Sequence, residues 1–228
     1  MSAKESLERK YDELVAQITD VETKLKEIDK CKYYRVSIFG SRRLDEKSKW
    51  GQFAFELARR LAWEGIDVVT GGGPGLMAVA NAGARKGRIE ASSKARSFGL
   101  VIQLPILEPP NNFLDVSKTH PRFMTRLENF FRISTAFVAL PGGIGTALEL
   151  FYGWQLLVTG FIKEPRPFLL VDSEFWRPLM NWIEQYPLKL KLLDAWEFNL
   201  ITVVDELEEA LRIILQDFNR WKVECKLT

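Results

Sequence analysis

The stretch Ala136-Phe137-Val138-Ala139-Leu140-Pro141-Gly142-Gly143-Ile144-Gly145-Thr146 decides the fold. Its first five residues are apolar, as a strand buried on both faces requires. The glycines open a helix expected from Ala147 to Thr159. The same order recurs upstream, where Asp67–Thr70 runs into Gly71-Gly72-Gly73-Pro74-Gly75 and a small-residue helix from Leu76 to Lys86. Arg35–Phe39 is another such strand. It ends in Gly40-Ser41-Arg42, and helical spacing follows from Lys47 to Glu64. Further strands are expected at Gly99–Leu104, Phe168–Val171 and Leu200–Val204, with helices over Phe123–Arg132, from Ser173 and from Asp205. The segment Pro105–Pro121, with four prolines and the pair Asn111-Asn112, reads as a long loop. Alternating strands and helices predict an α/β fold, a doubly wound parallel sheet with helices on both faces.

Residues 1–31 differ from this pattern and are read as an N-terminal helical extension of the domain formed by 32–228. Apolar residues fall at Leu7, Tyr11, Leu14, Ile18, Val21, Leu25 and Ile28, a heptad seam of about three repeats. Such a seam suits a helix lying on its own domain or one that pairs with a partner chain.

Lys and Arg total 32 against 30 Asp and Glu, a net charge of +2 that leaves no electrostatic footprint for nucleic acid. No apolar run approaches the roughly 18 residues of a membrane span, and the first residues lack the apolar core of a signal peptide. Cys31 and Cys225 cannot build a disulfide framework, so a cytoplasmic protein is expected. The lone His120 and two distant cysteines give no set of metal ligands, and no metal or other cofactor is expected. His120 itself reads as structural or solvent-exposed.

Both glycine segments follow a strand and open a helix. Glycine lets a ligand approach the backbone, and a helix N-terminus offers unpaired N–H groups that suit phosphate. The same segments also serve as plain tight turns. Neither carries the lysine of a Walker loop, and neither fits G-x-G-x-x-G. A mononucleotide or another small phosphorylated molecule remains. Glu149 lies one helical turn beyond Gly145 on the face of Thr146, where an acid is also a favourable partner for the helix dipole. Arg126 reaches the same cleft if its helix runs back along the sheet, and a surface position is its alternative.

The run Pro141-Gly142-Gly143-Ile144-Gly145-Thr146-Ala147-Leu148-Glu149 resembles the PGGxGTxxE motif of the Lonely Guy family, formerly described as lysine decarboxylase-like. Gly71-Gly72-Gly73-Pro74-Gly75-Leu76-Met77 resembles its second glycine motif, and Phe39-Gly40-Ser41-Arg42 resembles its first strand end. The resemblance spans about Tyr33 to Arg220 and implies a Rossmann-like nucleotide-binding domain, usually dimeric. It implies a phosphoribohydrolase that cleaves the N-glycosidic bond of a nucleoside 5′-monophosphate, as in cytokinin activation or nucleotide salvage. Arg126 and Glu149 would be the catalytic pair. Gly40, Ser41, Arg42, Gly72, Gly73, Pro74, Gly75 and Met77 would bind substrate, together with Gly142, Gly143, Ile144, Gly145 and Thr146. The chain departs from the common pattern at Leu127, often lysine, and at Leu148, often a second acid. Some relatives carry molybdenum cofactor, so a non-enzymatic carrier of a phosphorylated cofactor is the alternative. The expected partners are a small nucleotide and a second copy, as a homodimer or higher homo-oligomer, with no membrane or nucleic acid.

Overall fold

The computed structural model describes residues 3–29, 31–103, 109–162 and 166–226. The chain divides into two compact units, Met1–Tyr33 and Tyr34–Thr228. Helix α1 (Ala3–Asp29) makes up the first. It has no glycine or proline. The ion pairs Lys4–Glu8, Arg9–Glu13 and Asp20–Lys24, at 3.7, 3.6 and 2.7 Å, run along it. Each such pair adds a few tenths of a kcal/mol at most.

The second unit is built on β1 (Arg35–Phe39), β2 (Asp67–Thr70), β3 (Ser97–Ile102), β4 (Val116–His120), β5 (Ala136–Ala139), β6 (Phe168–Val171) and β7 (Thr202–Val204). They form one sheet in the order β4-β3-β2-β1-β5-β6-β7, and every pairing is parallel. The chain winds outward from β1 to β4, returns to β5 beside β1, and winds the other way to β7. The expected doubly wound sheet is therefore present, with its switch point between β1 and β5, where Ile38 lies opposite Val138. Ligands of such sheets settle outside the carboxyl ends of the strands at that point.

The helices are α2 (Lys49–Trp63), α3 (Leu76–Ala91), α4 (Phe123–Ile133), α5 (Ile144–Val158), α6 (Ser173–Ile183), α7 (Ala195–Phe198) and α8 (Leu207–Glu224). Alternation along β1 sends Val36 and Ile38 into one core with α2, α3 and α8. Phe39 goes to the other core with α4, α5 and α6. Phe130, Phe137 and Phe168 are fully buried in this second core, each contributing about 1.5–3 kcal/mol by removal from water.

One sequence expectation needs correction. The stretch Pro105–Pro121 is not all loop, because β4 occupies Val116–His120. Val-Ser-Lys-Thr-His carries little apolar signal, since β4 is an edge strand whose first four residues are exposed. The expected end of β3 at Leu104 lies outside the described residues. His120 is buried on β4, with Nε2 and Asn129 Nδ2 at 3.1 Å, so of its two readings the structural one applies.

Candidate functional site

A cavity of about 770 Å³ opens at the carboxyl edge of the sheet, across the β1/β5 switch point, within the usual size range for small-molecule sites. Gly40, Ser41 and Arg42 follow β1, and Gly72 and Gly73 follow β2, with Met77 on the first turn of α3. Gly142, Gly143, Ile144, Gly145 and Thr146 follow β5. All of these line the cavity, as do Arg126 and Glu149. Pro74 and Gly75 do not. Gly75 has φ +68 and begins α3 behind the wall, packed so closely on the backbone of Arg42 that a side chain would collide with it.

The loop before α5 is suited to an anion. Ser48 caps α2 by accepting from Gly51 N, and Asp172 caps α6 by accepting from Phe175 N. Gly143, at the start of α5, has no side chain with which to cap the helix, and it lines the cavity together with Ile144, Gly145 and Thr146. Gly143 and Gly145 face open space, with nothing within 4 Å of where a Cβ would stand. An anion placed there meets backbone donors and the positive end of the helix.

Arg126 reaches the cleft from α4. Its Nη1 lies 3.9 Å from Glu149 Oε1, and the two side chains are 15% and 13% exposed. The guanidinium has three further supports. Nε donates to Leu100 O at 2.6 Å. The group lies over the Phe130 ring, 5.1 Å from its centroid. Gly71 leaves room for it, since a Cβ there would collide with Arg126 Nη2. Burial pushes the Glu149 carboxyl up to about 7, against the opposing pull of Arg126, and the same burial lowers Arg126 from its ordinary value. Neutral and ionised Glu149 are thus both accessible near neutral pH, as a group that gives and takes protons requires.

The second glycine loop is braced from behind. Asn111 donates its side-chain N–H groups to Gly73 O and to Asn81 Oδ1, both at 3.0 Å, and its backbone N–H to Gly72 O at 2.8 Å. Thr70 Oγ1 accepts from Gly72 N at 3.0 Å and donates to the buried Asn81 at 2.7 Å. The sequence reading missed Asn81, Asn111 and Gly71 as parts of this site. It also missed Trp50 and Phe175, which line the cavity from the starts of α2 and α6. Phe175 follows β6 at the carboxyl edge, and the rule that places ligands there was the available signal. The two departures from the family motif lie off the cavity: Leu127 is buried in the α4–α5–α6 core, and Leu148 is 48% exposed. Among the described residues, no three histidine, cysteine, aspartate or glutamate side chains cluster as metal ligands. No described helix is long and apolar enough to cross a membrane.

The model of the family described as "Possible lysine decarboxylase" matches residues 77–214. The pyrimidine/purine nucleotide 5′-monophosphate nucleosidase of Escherichia coli K12 is 33% identical over 114 residues, which cover 49% of this chain and 25% of that protein. The rice cytokinin riboside 5′-monophosphate phosphoribohydrolase LOG is 31% identical over 162 residues, 68% of this chain and 62% of that one. The chain thus spans about a quarter of the first relative and under two thirds of the second. Among solved structures, a molybdenum cofactor binding protein from Rippkaea orientalis superposes with a TM-score of 0.61 at 16% identity, covering 82% of this chain and 98% of that one. That likeness is one of fold. With a family model matched over more than half of the chain and relatives that include LOG itself, the chain belongs to the Lonely Guy family.

Proposed function

We propose that the protein hydrolyses the N-glycosidic bond of a nucleoside 5′-monophosphate, releasing free base and ribose 5-phosphate. The observation that carries this reading is the pairing of Arg126 with Glu149 in the cavity that also holds the uncapped start of α5. The 5′-phosphate binds the Gly142–Thr146 loop, and this binding energy orients the sugar at the reacting centre. As the bond to the base breaks, positive charge builds on the sugar ring. Glu149 as a carboxylate stabilises that charge and accepts a proton from the attacking water, whose oxygen bonds to the anomeric carbon. The base departs with the bonding electron pair and takes up a proton. Arg126 stays protonated and positions Glu149 or the substrate.

The names of the E. coli and rice relatives support this chemistry. A lysine decarboxylase is a poorer fit, because no lysine is among the described residues lining the cavity to form a Schiff base. A carrier of a phosphorylated cofactor has no need of a buried arginine and glutamate facing each other.

The test is to incubate the purified protein with purine, pyrimidine and N6-substituted adenosine monophosphates and to assay base and ribose 5-phosphate. Release of both in equal amounts is expected, and which nucleotide reacts fastest separates salvage from cytokinin activation. Tight nucleotide binding without release would favour the carrier. The proposal extends to assembly: the protein acts as a homodimer or higher homo-oligomer, which its mass in solution checks.

A further inference from the structure

Helix α1 keeps one continuous face of heptad positions over Ala3–Asp29. Tyr11, Ile18 and Leu25 take the a positions, and Leu7, Leu14, Val21 and Ile28 the d positions. Leu7, Tyr11, Leu14, Ile18 and Val21 are between 48% and 68% exposed. A lone helix with such a stripe is marginal in water until the stripe is covered.

The charges beside the seam say what covers it. The e positions are Glu8, Val15, Glu22 and Asp29, acidic apart from one valine. The g positions from the second turn on are Lys10, Gln17 and Lys24, basic apart from one glutamine. In a parallel pair of identical helices, each g residue meets the next e residue of the other helix. By sequence, that register matches position 24, a lysine, with position 29, an aspartate, and puts no two like charges together. In an antiparallel pair, e meets e and g meets g, which brings acid to acid and lysine to lysine. Lys24 also pairs with Asp20 of its own helix at 2.7 Å, and a solvent-exposed pair of that kind is weak enough to share its cation.

We propose that α1 forms a parallel, in-register, two-stranded coiled coil with α1 of a second copy. The assembly proposed above thereby gains a specific contact surface outside the catalytic unit.

Disulfide crosslinking in the full-length protein tests both pairing and direction. Lys4 takes an a position and Arg9 an f position on the opposite face. Under mild oxidation, Lys4→Cys is expected to give a covalent dimer on a non-reducing gel well above the unsubstituted parent, and Arg9→Cys is not. Adding Leu14→Glu and Ile18→Glu to Lys4→Cys should bring crosslinking back to the parent level while the catalytic unit unfolds at the parent temperature. Parent-level crosslinking at position 4 overturns the proposal, whether α1 lies on its own chain, pairs antiparallel or binds a different protein. Crosslinking that survives the two glutamates also overturns it, since the copies are then held together elsewhere. A dimeric mass without crosslinking at position 4 overturns the coil but leaves the homo-oligomer standing.

Discussion

Nη1 of Arg126 and Oε1 of Glu149 stand 3.9 Å apart in the wall of the cavity at the β1/β5 switch point. Their charges interact at that separation, but it is too long for a hydrogen bond. Neither group uses up the other, and each keeps bonding capacity for a sugar or a water. Burial of both makes the pair responsive to small changes nearby.

Replacing Glu149 by Gln keeps the size and removes the charge. Turnover should fall by at least about 100-fold, the lower range for loss of a general base, while nucleotide binding stays near the parent value. Steady-state kinetics beside calorimetric titration check this. Unchanged turnover would remove Glu149 from the mechanism.

The pH profile follows from the same carboxyl. As a base, Glu149 must be ionised, and burial holds its proton to about pH 7. Activity should rise through that pH and level off above it. Arg126 pulls the value down, so Arg126→Gln should move the rising limb to higher pH as well as slow the reaction. A profile already flat from pH 5 upward contradicts this account.

Stability should respond with a definite sign. The folded protein holds the Glu149 proton more tightly than the unfolded chain, whose glutamate titrates near its ordinary 4.5. This favours the fold fully below 4.5, and the benefit is lost as pH rises through about 7. A glutamine side chain does not titrate, so the melting temperature of Glu149→Gln relative to the parent should climb between pH 4.5 and 8. A difference that is constant across that range would show that Glu149 is not held protonated in the fold.

Gly71 is expected to matter through its neighbour. A methyl group there meets the end of the Arg126 side chain and the Met77 sulfur, so the fold can adjust while the guanidinium is displaced. Misplacement of a reacting group by about 1 Å can cost on the order of 100-fold. Gly71→Ala should therefore lower kcat by that order with little change in far-UV circular dichroism. Full activity would show that Arg126 does not depend on this seat.

Gly143 separates ligand contact from folding, because a side chain there enters open cavity space. Gly143→Val should leave the melting temperature within a few degrees of the parent and raise KM for nucleoside 5′-monophosphates about tenfold or more. The parent should prefer a monophosphate to its nucleoside. Equal rates on adenosine and AMP would place the phosphate elsewhere.

Much of this was legible in the chain itself. Buried parallel strands are written as short apolar runs such as Ala136–Leu140, and glycines mark where the helices begin. Strand β4 escaped notice because its residues answer to solvent rather than to a core. The seat of Arg126 at Gly71 was hidden for another reason. It joins a loop after β2 to a side chain from α4, and no local pattern records such a meeting. Asn81 and Asn111 are similar, since their roles appear only once α3 and the segment before β4 lie together.

The polar character of β4 has a consequence for life in a concentrated solution. An unpaired strand is a template on which another chain can add, the first step of runaway association. Here one border of the sheet is Val-Ser-Lys-Thr-His, with Lys118 exposed on it, and the other is β7, only three residues long. A stray strand arriving at either side meets a charge or finds too little length to grip. The protein thus keeps its backbone ladder closed to strangers, and any specific self-association is left to side-chain surfaces.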